Sequence, residues 1–267
     1  MVTDVVLHTA NYISLCSGIG GLDLAVKLSI PQSRCVCYVE REAFSAAILV
    51  ARMEDSSLDK APIWSDIATF DCEPWRGSVD FVVAGFPCQP VSLTGKRKGD
   101  KDERWLWEDV IRVVRQVGAK WVFLENVAGI LSMGFGNILG DLAESGLNAE
   151  WVCVPASGVG SPHKRDRWFC LGYSDISGLE GWERHQDAGQ QLSGSPGGSI
   201  FPPPPGSPDW ERIPTEAQPA ICGKANGAPS RVDRLRALGN GVVPSQAAVA
   251  LRELLNRTNN QHGNNNA

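Results

Sequence analysis

No stretch of this sequence approaches the eighteen or so consecutive apolar residues of a membrane span. Its opening, MVTDVVLHTANYISL, also lacks the basic segment and apolar core of a secretory leader. Both absences lead to the expectation of a cytoplasmic protein. The 8 cysteines are too sparse over 267 residues for a disulfide scaffold, and none forms a C-x-x-C pair. CVC at 35–37 is too tight for zinc-ligand spacing. A reducing compartment fits, with most thiols acting as small core residues. The pairing of H-x-E with P-C-x-x-C is missing as well, which excludes the zinc nucleobase deaminases. No internal repeat is present.

An excess of positive charge is lacking too: the net charge is −5. Taken alone, that figure argues against a nucleic-acid partner, but the charge is segregated. Residues 40–80 hold nine acids and four bases and so carry the whole deficit. In contrast, GKRKGDKDER (95–104) has five bases against three acids, and 224–236 sets Lys224, Arg231, Arg234 and Arg236 against Asp233. The average therefore says little about partners. A hydrophobic content of 43% with 21% charged residues is that of a globular chain able to bury a substantial core.

Through residue 173, apolar runs alternate with helical periodicity. Strands are expected at YISLC (12–16), CVCYVE (35–40), VDFVVA (79–84), KWVFLE (120–125), AEWVCVPA (149–156) and RWFCLGY (167–173). Helical patterns lie between them in LDLAVKLS, REAFSAAILVARM, WLWEDVIRVVRQV and GNILGDLAESG. Strands rich in Val, Cys and Phe with little polar alternation suit a sheet covered on both faces, so the fold class is α/β and doubly wound. From 174 the texture changes. SGSPGGSIFPPPPGSP (193–208) is nearly all Ser, Gly and Pro and supports no packed helix or strand. Regular pattern returns at 231–257, where PSQAAVALRELLNR (244–257) reads as a helix. The tail from 258 to 267 is expected to be disordered.

SLCSGIGGLDLA places Gly18, Gly20 and Gly21 at the turn from the first strand into the first helix. Glycines there let backbone approach a ligand beside helix N–H groups, although a tight packing turn would have the same composition. The spacing is not G-x-G-x-x-G, which argues against a dinucleotide pyrophosphate. Glu40 ends the second strand about twenty residues on, where an acid commonly holds a ribose diol. Asp66, in WSDIA, ends a short third strand and is suited either to accepting from an adenine amino group or to capping a helix. The three features together describe a nucleoside cofactor without a polyphosphate, and S-adenosylmethionine meets that description. GFPCQP (85–90) follows a buried strand and sets Cys88 between two prolines. Proline fixes φ and removes a donor, so the loop is stiff and non-helical and can aim one thiol at a ligand.

SGIGGLDLA, GFPCQPVS, ENV, SPHKRDR and RLRALGNGVVP stand in the order and spacing of the DNA cytosine-5 methyltransferase family, which the chain resembles over 12–172 and 231–252. The resemblance implies a Rossmann-like methyltransferase core over 1–173 and 231–257. It also implies a compact target-recognition region over 174–230, in which Trp182, Arg184, Trp210, Glu211 and Arg212 are candidate base contacts. Cys88 matches the nucleophile that adds to cytosine C6. Glu125 matches the acid that donates to N3, Asn126 orients the pocket, and Arg165 holds the cytosine O2. Arg167 structures the site or meets a phosphate. Cys16, Ser17, Gly18, Gly20, Gly21, Glu40, Asp66, Ile67, Pro87, Asn240 and Val242 fall on the S-adenosylmethionine positions. Gln89, Ser92, Lys96, Arg97 and Lys98 fall on the loop that closes over double-stranded DNA, where basic groups meeting phosphate make affinity salt-dependent.

The cytosine must leave the stack to be reached. Two departures stand out: Cys16 where the family commonly has an aromatic residue, and Pro162–His163 where it often has Pro-Gln. The resemblance further implies a monomer, no metal, and a cognate restriction endonuclease as a possible companion. A related branch methylates transfer RNA, but the separate segment at 174–230 favours DNA. A non-catalytic relative usually loses the nucleophile or the acid, and both are kept here.

Overall fold

The computed structural model describes residues 10–87, 106–161, 164–174 and 241–264, with side chains described as far as Thr258. The apolar runs form seven strands: β1 (Asn11–Leu15), β2 (Arg34–Val39), β3 (Ile63–Trp64), β4 (Phe81–Ala84), β5 (Trp121–Val127), β6 (Asn148–Pro155) and β7 (Asp166–Tyr173). They make one sheet in the order β3-β2-β1-β4-β5-β7-β6. The first five are parallel, and β7 runs antiparallel to both β5 and β6. Helices α1 (Gly21–Ser29), α2 (Ala43–Glu54), α3 (Trp107–Val117), α4 (Ile130–Met133), α5 (Phe135–Glu144) and α6 (Pro244–Asn264), with 3₁₀ turns at Ile67–Thr69, Glu73–Trp75 and Ala156–Val159, complete the described elements. Among the described residues no helix is long and apolar enough to cross a membrane.

The two-residue period of the strands divides the core between the faces of the sheet. Ile13, Leu15, Val82, Ala84, Val122 and Leu124 pack on one side with Val110 and Val114 of α3 and Ile138 and Leu142 of α5. Tyr12, Phe81, Val83 and Phe123 pack on the other with Leu22 and Val26 of α1, Leu49 of α2, and Leu251 and Leu254 of α6. The sheet is thus doubly covered, as its composition predicts. Helix α3 shows how local sequence sets an element. Val110, Val113, Val114 and Val117 recur on one stripe and are buried. Glu108 and Asp109 occupy its first turn, and Gly118 ends it in the left-handed conformation (φ 71°).

Most strand and helix ends shift by one or two residues from those expected, and two differences go further. The helical stretch read at 136–146 begins at Phe135 and is preceded by the one-turn α4. Helix α6 runs through Asn264, past 257, so the disordered tail expected from 258 does not begin there. Thr258 is only 1% exposed and its hydroxyl donates to the Leu255 carbonyl.

Strand order decides where a ligand can sit. From β1 the chain crosses by α1 to β2 on one side, whereas β4 leads onward to β5 on the other. The carboxyl ends of β1 and β4 therefore flank a crevice at the topological switch point. The glycine turn leaves β1 there, and the loop toward Cys88 leaves β4 there.

Gly172, directly opposite Val122 across the β5–β7 pair, is a place where only glycine fits. A Cβ on it would meet Val122 Cγ1 at 2.6 Å and Leu142 Cδ2 at 3.3 Å. Gly172→Ala is expected to cost about 1–3 kcal/mol by overpacking. Combining it with Val122→Ala should recover part of that loss, because the pair couples; thermal denaturation of the two single variants and the double variant checks this.

Candidate active site

The glycine turn and Glu40 meet at the mouth of the crevice. Ser17 ties the ends of β1 and β2 together: its hydroxyl donates to the Ser14 carbonyl (2.9 Å) and its N–H to the Val39 carbonyl (3.1 Å). Gly18 and Gly20 are left-handed (φ 56° and 80°), which reverses the chain into α1. The Glu40 carboxylate accepts from the Gly18 N–H (2.6 Å) and from the Glu42 N–H (2.7 Å). Each oxygen thus accepts from a backbone N–H, and the Arg41 N–H also favours the charged form. Burial raises the Glu40 pKa, and those amide bonds oppose the rise. Gly18 carries open space where a side chain would be. This donor set fits the vicinal hydroxyls of a nucleoside. Cys16 precedes the turn, itself left-handed (φ 51°) and half-buried. Burial, with Glu40 and Asp109 nearby, pushes its thiol up to about 12, so it stays protonated.

Asp66 caps a single 3₁₀ turn, Ile67–Thr69, by accepting from the Ala68 N–H (3.0 Å). Ile67 is buried. Its carbonyl accepts from Arg112 Nη2 of α3 (2.6 Å), and Arg112 also reaches the Phe70 carbonyl (3.4 Å) and the Asp109 carboxylate (3.2 Å). One arginine therefore moors the whole 67–70 loop to α3. Reading the sequence does not single out Arg112; the Asp109–Arg112 spacing of three on a helix is the one visible trace.

Beyond β4, Phe86 is buried and Pro87 exposed. Asn126 is 2% exposed and its Nδ2 donates to the Phe86 carbonyl (3.0 Å), while its Oδ1 accepts from the Val127 N–H (2.8 Å). Asn126 thus pins the start of the loop that carries Cys88 to the end of β5. The neighbouring residue, Glu125, points to the opposite face. A Cβ on Gly85 would lie 3.5 Å from Glu125 Oε2 and 4.0 Å from the Cys16 carbonyl oxygen, so turn, loop and acid converge.

Glu125 is 7% exposed, and its Oε1 lies 2.8 Å from Arg167 Nε. The pair follows from register. Glu125 stands opposite Phe169 and Arg167 two residues away on the same face, within diagonal reach. Burial raises the Glu125 pKa while the charges of Arg167 and Arg165 lower it; burial dominates, and the value reaches about 7. Arg165 lies one residue before β7 in a left-handed conformation (φ 34°), so the two arginines do not continue one extended alternation. Its Nη2 donates to the Gly241 carbonyl (2.5 Å). Next in chain, the carbonyl of half-buried Val242 would lie 2.7 Å from a Cβ on Gly21. Only glycine at 21 lets the 241–243 segment close on the turn. Gln246, which sequence reasoning also misses, is fully buried and donates to the Val154 (2.6 Å) and Arg165 (2.8 Å) carbonyls.

Cys88, Gln89, Ser92, Lys96, Arg97, Lys98, Asn240 and the candidate base contacts between 174 and 230 lie outside the described residues. Among the described residues no group of three or more His, Cys, Asp or Glu is placed to hold a metal ion.

The doubly wound sheet thus sets a glycine turn at the end of one strand and a buried, near-neutral carboxyl two strands away. The chain matches the profile of the C-5 cytosine-specific DNA methylases over residues 10–192, and it belongs to that family. It is 31% identical over 163 residues to the Type II methyltransferase M.CviJI of Paramecium bursaria Chlorella virus IL3A, covering 60% of this chain and 42% of that protein. To M.HhaI of Haemophilus parahaemolyticus it is 28% identical over 187 residues, covering 68% and 54%. The chain thus spans about half or less of the length of these curated relatives. Among solved structures, a Spodoptera frugiperda DNMT2 variant aligns with a TM-score of 0.54 at 22% identity, covering 66% of this chain and 53% of that one. A putative DNA modification methyltransferase encoded within an E. coli prophage aligns at 0.51 and 22%, covering 62% and 47%. These likenesses establish the fold.

The Glu125 environment makes a stability prediction. In the unfolded chain the group ionises near its ordinary 4.5, whereas in the folded chain it holds its proton up to about 7. Between those values the native state binds the extra proton, so stability falls as pH rises. At about 1.4 kcal/mol per unit the total is about 3 kcal/mol. Glu125→Gln removes this dependence. The difference in Tm, variant minus wild type, should grow from pH 4.5 to 7 and level off above. A difference that stays flat across that range refutes the assignment.

Proposed function

We propose that this chain transfers a methyl group from S-adenosylmethionine to C5 of a cytosine flipped out of double-stranded DNA, acting in the cytoplasm. The observation that carries the reading is Glu125, a buried carboxyl near the carboxyl end of β5 that lies 2.8 Å from Arg167, next to the Asn126 that anchors the loop leaving β4 toward Cys88; burial raises its pKa to about 7. Bound S-adenosylmethionine supplies an electrophilic methyl group. Glu40 receives the ribose hydroxyls, Asp66 accepts from the adenine amino group, and Ile67, Pro87 and Val242 line the remainder of that pocket. The glycine turn brings backbone N–H groups alongside.

Cytosine C5 is a poor nucleophile until the ring loses its aromaticity. Addition of the Cys88 thiolate to C6 forms a carbon–sulfur bond and pushes the ring electrons toward N3 and O2. Glu125 gives its proton to N3, and Arg165 steadies O2; both act on charge that develops only as the bond forms. C5 is then electron-rich. Once C5 carries the methyl group, solvent base takes the C5 proton, that bonding pair re-forms the C5–C6 double bond, the C6–S bond breaks to restore the thiolate, and N3 returns its proton to Glu125. Burial raises the pKa of every described cysteine, which makes each a poor nucleophile.

Duplex DNA bearing 5-fluorocytosine should trap the enzyme, since fluorine cannot leave C5 as the proton does. A covalent protein–DNA band is expected with wild type and S-adenosylmethionine and none with Cys88→Ala. An untrapped wild type at a target confirmed by bisulfite sequencing overturns the scheme. Tritium transfer to duplex DNA but not to transfer RNA is the accompanying expectation.

A second expectation concerns the missing aromatic residue. Cys16→Phe restores a stacking surface worth about 0.5–1.5 kcal/mol, so S-adenosylmethionine should bind roughly 2–10-fold more tightly in a calorimetric titration. Equal affinities discard the idea.

A further inference from the structure

We infer that Gln246 is a positioning residue for Arg165, fixing the backbone on which that guanidinium is presented beside Glu125. The inference rests on the reading of the site given above. Arg165 holds φ 34°, a conformation that non-glycine residues keep only where their surroundings over-determine it. The surroundings here come from the far end of the chain. Gln246 lies in the first turn of α6 with no exposure to solvent. Its Nε2 uses both protons, one on the Val154 carbonyl at the end of β6 (2.6 Å) and one on the Arg165 carbonyl (2.8 Å). The Arg165 carbonyl also accepts from the Ala156 N–H (3.3 Å), which closes the loop between β6 and β7.

The orientation of the Gln246 amide follows from its partners. Turned over, its oxygen would face two carbonyl oxygens with no proton between them. The same C-terminal segment takes the other end of Arg165, because the guanidinium donates to the Gly241 carbonyl (2.5 Å). The arginine is thus gripped by its main chain at Gln246 and by its side chain at Gly241, five residues apart in sequence. Arg167 needs no such support, since it lies within β7 and pairs with Glu125 directly (2.8 Å). An α6 residue therefore sets where one of the site's two arginines stands. Misplacement of such a group by about 1 Å can slow a reaction by about 100-fold.

The test is a double-variant cycle on the full chain with Gln246→Met, which keeps the length of the side chain and removes its donors. Wild type, Gln246→Met, Arg165→Ala and the double variant are compared by single-turnover methyl transfer to duplex DNA. The KM for S-adenosylmethionine and the titration midpoint of the ¹³C-labelled Glu125 carboxyl are measured alongside. Gln246→Met should slow transfer roughly 10–100-fold and leave that KM within about twofold. It should also raise the Glu125 midpoint, because the Arg165 charge retreats while Arg167 stays. In the Arg165→Ala background Gln246→Met should change neither quantity further. An equal loss in both backgrounds, or a slowed reaction with the Glu125 midpoint unmoved, overturns the inference. If Gln246→Met does not fold, Gln246→Asn, one methylene too short to reach both carbonyls, goes through the same cycle. Should the wild type transfer no methyl group, the reading of the site fails, and the Glu125 titration still decides the role of Gln246.

Discussion

A carboxyl group held out of water at the end of β5 sets the terms for what surrounds it. Two arginines stand near enough to Glu125 to favour its charge, and burial still outweighs them, so the group rests near neutrality rather than deep in the acid range. Were the pocket wetter, the Arg167 ion pair would keep the carboxylate ionised at neutral pH. Without Arg167 the acid would hold its proton too tightly. The balance depends on the antiparallel register of β5 and β7, which delivers Arg167 within 2.8 Å of the acid from the same face of the sheet.

The adjacent residue faces the other way and does a different task. Asn126 is fixed by the Phe86 carbonyl and so couples the end of β5 to the loop after β4. The two-residue period of a strand thus puts the acid on one face and the anchor of the Cys88 loop on the other. The crevice they border exists because successive crossovers leave β1 and β4 in opposite directions, and the glycine turn opens onto the same gap. Residues 241–246 close it from the far side, touching Gly21, Arg165 and the end of β6 within a few residues.

Much of this is legible before any coordinates. Six of the seven strands announce themselves as apolar runs, and the short β3 is implied by the acid that follows it. Glycines at a strand-to-helix turn, and a cysteine between prolines after a buried strand, are local patterns with local causes. The one-turn α4 is not legible, because four residues cannot display a helical period. The extension of α6 to Asn264 is hidden because its last turns are polar and lie beyond the apolar stripe that marks the helix. Arg112 and Gln246 carry no signal of their own. Each looks like an ordinary polar residue on a helix, and only the carbonyls brought against it give it a task.

From its residues alone this chain determines that it forms a doubly wound sheet, that a glycine turn follows the first strand, and that an acid lies at the end of the run KWVFLE. These depend on periodicity and backbone preference, which act over a few residues. Tertiary structure decides the direction of β7, the pairing of Glu125 with Arg167, and the grip of Gln246 on Arg165. Those contacts join residues 42 and 81 positions apart, and a titration near 7 reflects how deeply the assembled sheet excludes water from one carboxyl. Desolvation belongs to the packed whole, so no stretch of sequence contains it.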